Sequence, residues 1–263
     1  MKLETIDLSF SYNRRCIFQH IDFQVEDGEF ICILGANGSG KSTFLNCLCR
    51  LLKPESGDIV LNGKNIQKFS QKMIAKQISY VPQNYNPVYE CSIRDFLLMG
   101  RNPYSHFLKN FQLEDYVAVD KALAQFNLQK QGDKSISRLS GGERKKILLI
   151  RALVQNTPII ILDEPTNQLD FGMQVQLLEL LHILARQGKS ILITTHSPED
   201  AINYADKILL FSQRTGNLYP AGHLTTDVID KLYQIQSEIV CGQQISHRAC
   251  IASVSDSYES YWK

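Results

Sequence analysis

Long hydrophobic runs are missing from this chain. No apolar stretch approaches the ~18 residues of a membrane span, so any work at a membrane is expected to be done peripherally. A dominant charge is missing too: the formal net charge is +1 over 263 residues, which gives no global pull toward nucleic acid. No C-x-x-C pair occurs among the seven cysteines, Cys16, Cys32, Cys47, Cys49, Cys91, Cys241 and Cys250. An odd count at irregular spacing argues against zinc and dithiol redox motifs and points to a reducing compartment. Cys32 and Cys47 lie in apolar segments and are expected to pack as small hydrophobes. Internal repeats and low-complexity linkers are absent as well, which leaves no sign of a solenoid or a tethered module. Met1-Lys2-Leu3-Glu4 runs directly into an alternating pattern, so no signal peptide is expected.

What is present is enough chain for one large α/β domain, or one domain with an inserted subdomain, around a sizeable core. Its centre is Gly35-Ala36-Asn37-Gly38-Ser39-Gly40-Lys41-Ser42-Thr43, which reads G-x-x-x-x-G-K-[ST]. Before it stands Phe30-Ile31-Cys32-Ile33-Leu34, the length of a buried strand; after it, Phe44-Leu45-Asn46-Cys47-Leu48-Cys49 reads as a helix start. Glycines at a strand-to-helix turn let backbone N–H groups point at phosphate oxygens, and the helix N-terminus adds positive potential. In such a loop Lys41 reaches the β- and γ-phosphates and Ser42 offers its hydroxyl to Mg²⁺.

Around this centre the pattern alternates between strand and helix. Ile6, Leu8 and Phe10 are expected on one strand face, and Ile21, Phe23 and Val25 repeat the spacing. Asn62-Gly63 is a hairpin signal. Ile78-Ser79-Tyr80-Val81 is a strand stopped by Pro82. Ser92-Ile93-Arg94-Asp95 resembles a helix capping box, and Val119, Ala122, Leu123 and Phe126 fall at helical spacing, so residues 88–155 read as a mostly helical insert. Ile159-Ile160-Ile161-Leu162 is apolar throughout, like a central parallel strand. Val175, Leu178, Leu181, Ile183 and Leu184 form an amphipathic helix, and Ser190-Ile191-Leu192-Ile193-Thr194-Thr195 is another parallel strand. Residues 208–211 and 218–219 flank an expected turn at Thr215-Gly216-Asn217. From about Gln234 the periodicity is weak and no element is assigned. The alternation predicts a parallel, helix-covered sheet.

Four further segments carry chemistry. Asp163-Glu164 ends an apolar strand, where Asp163 can serve Mg²⁺ and Glu164 can polarise a water; a strand ending in solvated acids is equally common. Leu139-Ser140-Gly141-Gly142-Glu143 at a helix start is either a second anion site or a glycine-rich cap. His196 ends the strand through Thr195 and can bond a γ-phosphate, although a lone histidine is more often an ordinary surface or core residue. Gln83 follows the strand at 78–81.

In this order, residues 35–43, Gln83, 139–143, 162–164, 167–170 and His196 together resemble the ATP-binding-cassette (ABC) ATPases, over about residues 1–235. Leu139-Ser140-Gly141-Gly142-Glu143 is the most specific part of the match. The resemblance implies an α/β fold with a P-loop NTPase (RecA-like) core, an N-terminal antiparallel β subdomain and an inserted α-helical subdomain. Residues 1–263 would form a single domain, with 1–87 and 156–263 as core and 88–155 as the helical subdomain. It implies that Tyr12 stacks on adenine and that Gly35, Asn37, Gly38, Ser39, Gly40, Lys41, Ser42 and Thr43 hold the ATP phosphates. Mg²⁺ would lie at Ser42, Gln83 and Asp163, with Glu164 as base, His196 as switch histidine and Gln83 as sensor of Mg²⁺ and γ-phosphate. Ser140, Gly141 and Gly142 would contact ATP held by another subunit, and Asp170 belongs to a segment that crosses the dimer interface. One set of motifs per chain then implies a homodimer closing on two ATP. Lys145, where many relatives have Gln, Ile150 and Ser197 depart from the pattern without removing a phosphate, Mg²⁺ or water contact.

Phe96-Leu97-Leu98-Met99-Gly100-Arg101-Asn102-Pro103-Tyr104 resembles a segment of the ATPases that serve siderophore, haem and cobalamin importers, as do residues 203–210 and the end at Ala221-Gly222-His223. The competing reading of 96–104 is a plain helix end, terminated by Gly100 with Pro103 preventing continuation. Import of a metal chelate is the expectation. Zinc, manganese or other metal import stays open, as does a soluble ATPase of iron–sulphur assembly or translation. The importer resemblance implies transmembrane permease subunits as partners, an extracytoplasmic substrate-binding protein indirectly, a peripheral place on the cytoplasmic face of the inner membrane, and no nucleic acid. The permease would dock in a groove beside Asn84, Tyr85, Tyr89 and Arg101; Phe96 is either part of that aromatic anchor or core packing.

Overall fold

The computed structural model describes residues 2–85, 90–104, 111–212, 214–241 and 248–253. In chain order the elements begin with β1 (Leu3–Tyr12), β2 (Arg15–Val25), β3 (Phe30–Gly35), α1 (Lys41–Leu48), β4 (Ser56–Leu61), β5 (Lys64–Asn65), α2 (Gln71–Ala75) and β6 (Ile78–Val81). Three helices follow: α3 (Ile93–Leu98), α4 (Leu113–Gln125) and α5 (Gly141–Gln155). Then come β7 (Ile159–Leu162), α6 (Phe171–Arg186), β8 (Ser190–Thr195), α7 (Pro198–Tyr204), β9 (Lys207–Ser212), β10 (Thr215–Pro220), α8 (Thr226–Tyr233), β11 (Gln236–Cys241) and β12 (Arg248–Ser253).

Six strands form the central sheet in the order β10-β9-β3-β8-β7-β6, parallel except for β10 at the edge. The apolar runs of β3, β7 and β8 are buried on both faces. Alternate residues feed two cores. Phe30, Cys32 and Leu34 join Ile160, Leu162 and the helices α3 to α8; Ile31 and Ile33 join Ile159, Ile161 and Phe44 of α1. Against the second face lies the antiparallel sheet β2-β1-β4-β5, which contributes Leu3, Leu8, Phe18 and Phe23. Cys32 in the first core and Cys47 in the second are fully buried, and burial pushes both thiols up, Cys47 to about 12. Because β3, β6, β7 and β8 run the same way, the segments after them emerge along one edge of the sheet, the usual place for a ligand in such a fold.

Several local expectations hold. Asn62 and Gly63 both take positive φ, 51° and 74°, between β4 and β5, and Ser92 caps α3 by accepting from the Asp95 N–H. Others are corrected. Ile6 does not share a face with Leu8 and Phe10: it is 52% exposed. The pairing of β1 with β2 shifts between Thr5 and Leu8, with Asp7 at φ 49°, so Thr5 takes the inward place and Leu8 returns to it. The turn near residue 215 sits earlier, since Thr215, Gly216 and Asn217 are already paired in β10 and Arg214 carries the positive φ. Val175 and Ile183 lie on the outer side of α6, while Leu177, Leu178, Leu181 and Ala185 face the core. Within the unassigned C-terminal stretch, the described residues Gln236–Cys241 and Arg248–Ser253 pair antiparallel as β11 and β12. They are held on α7 by a reciprocal pair between the Asn203 side chain and the Arg248 backbone.

Arg101 is also corrected. Its side chain is turned inward rather than into a groove: Nε donates to Asp115 Oδ1 at 2.8 Å, Nη1 donates to the Val154 carbonyl, and the guanidinium lies over the Tyr104 ring. Phe96 is core, its ring centroid lies 5.4 Å from that of Tyr85, and the Arg151 guanidinium sits against both rings. Tyr89 falls outside the described residues. No helix among the described residues is long and apolar enough to cross a membrane.

Candidate active site

The loop from Gly35 to Lys41 is shaped by close backbone approach. Gly40 stands at φ 106° as the cap of α1, and a Cβ there would meet Ile17 Cγ2 at 2.8 Å. A Cβ on Gly35 would lie 2.7 Å from the Phe211 carbonyl oxygen. The first-turn N–H groups of α1 have no partner within their helix, and the residues that carry them, Lys41, Ser42 and Thr43, border a cleft. Asn37, Gly38, Ser39, Gly40, Lys41, Ser42 and Thr43, with Ile17, Gln83 and Glu164, line that cleft, which has a volume of about 360 Å³. Lys41 is buried and folded back, its Nζ donating to the carbonyls of Gly35 at 2.7 Å and Ala36 at 3.0 Å. Burial lowers its pKa, while Glu164 and Asp163 act to raise it. The Ser39 hydroxyl is buried without a partner. Ammonium, hydroxyls and free N–H groups make a donor set suited to a polyphosphate.

Opposite the loop, β7 ends in two acids. Asp163 is buried; its Oδ1 accepts from Thr194 Oγ1 at 2.6 Å, and the Tyr80 hydroxyl bonds to the same carboxylate. Burial and this charge push the Tyr80 phenol well above its usual range. Glu164 follows at φ 45° and is 8% exposed. Its N–H donates to Thr194 Oγ1, and its Oε2 accepts from Gln83 Nε2 at 2.5 Å and from the Asn167 side chain. Ser42, Gln83 and Asp163 supply hydroxyl, amide and carboxylate oxygens, which are donors for a hard dication.

His196 is exposed at the end of β8 and is not among the residues lining the cleft. Its turn is nevertheless fixed: Thr195 Oγ1 donates to Asp200 and accepts from the Ser197 N–H, and Tyr233 of α8 donates to the His196 carbonyl at 2.8 Å. Burial raises the Asp200 pKa, against its hydrogen bonds from Thr195 and Ser197. Tyr12 lies on the β1–β2 hairpin, 47% exposed and packed edge-on against Phe10. The cleft wall on that hairpin is Ile17.

Ser140, Gly141 and Gly142 begin α5, away from the lining of the loop cleft. Ser140 and Glu143 form a closed capping box, with both Ser140 N and Oγ donating to Glu143 Oε2 at 2.8 Å, and these bonds lower the Glu143 pKa. Asp170 caps α6 by accepting from the Met173 N–H. Within the one chain, therefore, residues 35–43, Gln83 and Glu164 converge, with Asp163 and Thr194 behind them. Ser140, Gly141, Gly142 and Asp170 are not among the residues lining the loop cleft. Sequence reasoning missed Ile17, Thr194 and the partnership of Asn167 with Glu164. Thr194 carried a signal, being polar at the end of a buried strand; Ile17 carried none.

The sequence profile of the ABC transporter family matches residues 18–167. An uncharacterised ABC transporter ATP-binding protein of Haemophilus influenzae is 35% identical over 244 residues, spanning 91% of this chain and 92% of its own length. The ferric enterobactin transport ATP-binding protein FepC of Escherichia coli is 31% identical over 91% of this chain and 89% of its own. The iron(3+)-hydroxamate import ATP-binding protein FhuC of Bacillus subtilis is 30% identical over 95% and 94%. Among solved structures, a metal-chelate type ABC transporter in an inward-facing conformation superposes with a TM-score of 0.84 at 28% identity, over 96% of this chain and 98% of the matched one.

Proposed function

Since the chain belongs to the ABC transporter family as an ATP-binding subunit with ATPase activity, we propose that it drives a membrane importer of metal chelates, of the iron-siderophore, haem or cobalamin type. The observation that carries the catalytic part is the meeting of the phosphate loop, Gln83 and Glu164 in one cleft. The cargo class rests on the iron-chelate names of relatives matched nearly end to end.

In this reading residues 35–43 take the ATP phosphates, with Lys41 leaving its two loop carbonyls for phosphate oxygens. Tyr12 stacks on adenine from the hairpin. Ser42, Gln83 and Asp163 would hold Mg²⁺, which would supply neutralisation of phosphate charge when bound. Glu164 takes the proton of the attacking water, Gln83 and Asn167 orient its carboxylate, and His196 swings in to the γ-phosphate. Ser140, Gly141, Gly142 and Asp170 serve the nucleotide of a second copy, in keeping with their not lining the chain's own cleft. The dimer rests peripherally on transmembrane permease subunits at the cytoplasmic face, fed by an extracytoplasmic binding protein.

Two measurements test this. Tagged chain purified from its own membranes is expected to bring down a multi-span permease and to raise chelate uptake only when ATP is supplied; a soluble partner alone would sink the transport reading. Ser140→Arg puts a bulky cation at the exposed start of α5 and removes a cap worth about 0.5–2 kcal/mol. It is expected to bind ATP as a monomer yet fail to dimerise or hydrolyse, as read by light scattering and phosphate release. Normal turnover would refute the composite site.

A further inference from the structure

The turn that joins Glu164 to Asp170 has no regular structure of its own, and Glu164 and Gln168 both sit at positive φ. Side chains hold its carbonyls instead. Gln174 Nε2 of α6 donates to the carbonyls of Thr166 and Leu169. Lys145 of α5 reaches in from the other side: its Nζ donates to the Glu164 carbonyl at 2.9 Å and to the Asn167 carbonyl at 2.5 Å. Asn167 in turn donates its side-chain amide to the Glu164 carboxylate. One half-buried ammonium thus grips the backbone of the proposed base and of the residue that orients it. Charge-assisted bonds of this kind are strong and directional. Gln174 belongs to the helix that the turn leads into, whereas Lys145 belongs to the helix that begins with Ser140, Gly141 and Gly142.

We propose that Lys145 is a positioning residue for hydrolysis, fixing the Glu164 backbone and tying it to the seating of α5. The proposal rests on the composite-site reading above. When the first turn of α5 meets the second copy's nucleotide, any shift of that helix passes through Lys145 to Glu164 and Asn167 together. The Lys145 ammonium bonds to the Glu164 and Asn167 carbonyls, and Lys145 is not among the residues lining the phosphate cleft, so its effect belongs to turnover and not to ATP capture.

The test compares the full-length chain with K145M, K145R and E164Q, using ATP-Mg²⁺ turnover, ATP affinity and thermal stability for each. A small displacement of a catalytic group can cost up to about 10²-fold in rate. K145M is therefore expected to lose between about tenfold and 10²-fold in kcat with KM and Kd for ATP little changed, and K145R, which keeps N–H donors at that reach, to recover most of the rate. Parent kcat in K145M would overturn the proposal. So would a loss of ATP affinity or melting temperature that matches the loss of rate, because that marks a merely structural role. E164Q separates the two readings. A fully active E164Q removes the base assignment and with it the group that Lys145 is said to hold; an inactive E164Q beside a fully active K145M removes only the brace.

Discussion

Glu164→Gln is expected to bind ATP, to accumulate as a nucleotide-bound dimer and to release phosphate about 10²–10⁴-fold more slowly than the parent, the range that a general base supplies. The way the carboxylate is held sets this outcome. Both side-chain contacts, from Gln83 Nε2 and the Asn167 amide, converge on one oxygen, Oε2. A substituted amide can present its own carbonyl oxygen to both donors. It keeps the packing of an 8%-exposed side chain and the backbone bond to Thr194. What goes is the negative charge and the capacity to take a proton from water. The substitution should therefore leave the melting temperature nearly unchanged, and removing a carboxylate beside the phosphate site should favour ATP. Single-turnover phosphate release, with gel filtration in ATP-Mg²⁺, measures both effects. Release at the parent rate would show that another group takes the proton.

Lys41→Ala is expected to have the larger effect on binding. Hydrogen bonds to charged groups contribute about 1.5–3 kcal/mol each, so losing one or two to phosphate raises the Kd for ATP by roughly 10–10⁴-fold. The same ammonium satisfies the carbonyls of Gly35 and Ala36, so the variant also loses a brace within the loop. Calorimetric titration with ATP measures the first effect, and melting without nucleotide isolates the second. ATP affinity close to the parent value would remove the phosphate role. A pH series gives an independent reading. Burial lowers the Lys41 pKa below the ordinary lysine value of 10.5, even though Glu164 and Asp163 oppose the shift. The charge is then lost at a lower pH than that of a free lysine, so ATP affinity should start to fall below the pH at which an exposed ammonium would titrate.

These two residues were legible because their signals are local. The phosphate loop occupies nine consecutive positions between an apolar strand and a helix start, and the structure keeps them contiguous. Asp163-Glu164 likewise ends an uninterrupted apolar run. The parallel core could be read from strands buried on both faces. What could not be read depends on partners far along the chain. Ile6 fits an inward pattern until the bulge at Asp7 shifts the register, and that bulge is set by the pairing of β1 with β2 and β4. Lys145 looked like a departure because its meaning lies 19 and 22 residues away, on the carbonyls of Glu164 and Asn167. Arg101 looked available for a partner until Asp115 claimed it. The β11–β12 pair showed no period because much of its fixing comes from α7 and α8, through Asn203, Glu199 and Asp230.

The φ of 45° at Glu164 has an evolutionary consequence. A side chain in that region costs of order 1–3 kcal/mol, and glycine or asparagine would rest there with less strain. Selection for heat tolerance alone, applied to a library randomised at this position, should therefore enrich those two residues and discard the glutamate. Selection for growth on a transported nutrient should pull the other way. The gap between the two enriched populations would measure how much stability lineages of this chain have given up to keep a carboxylate at the end of β7.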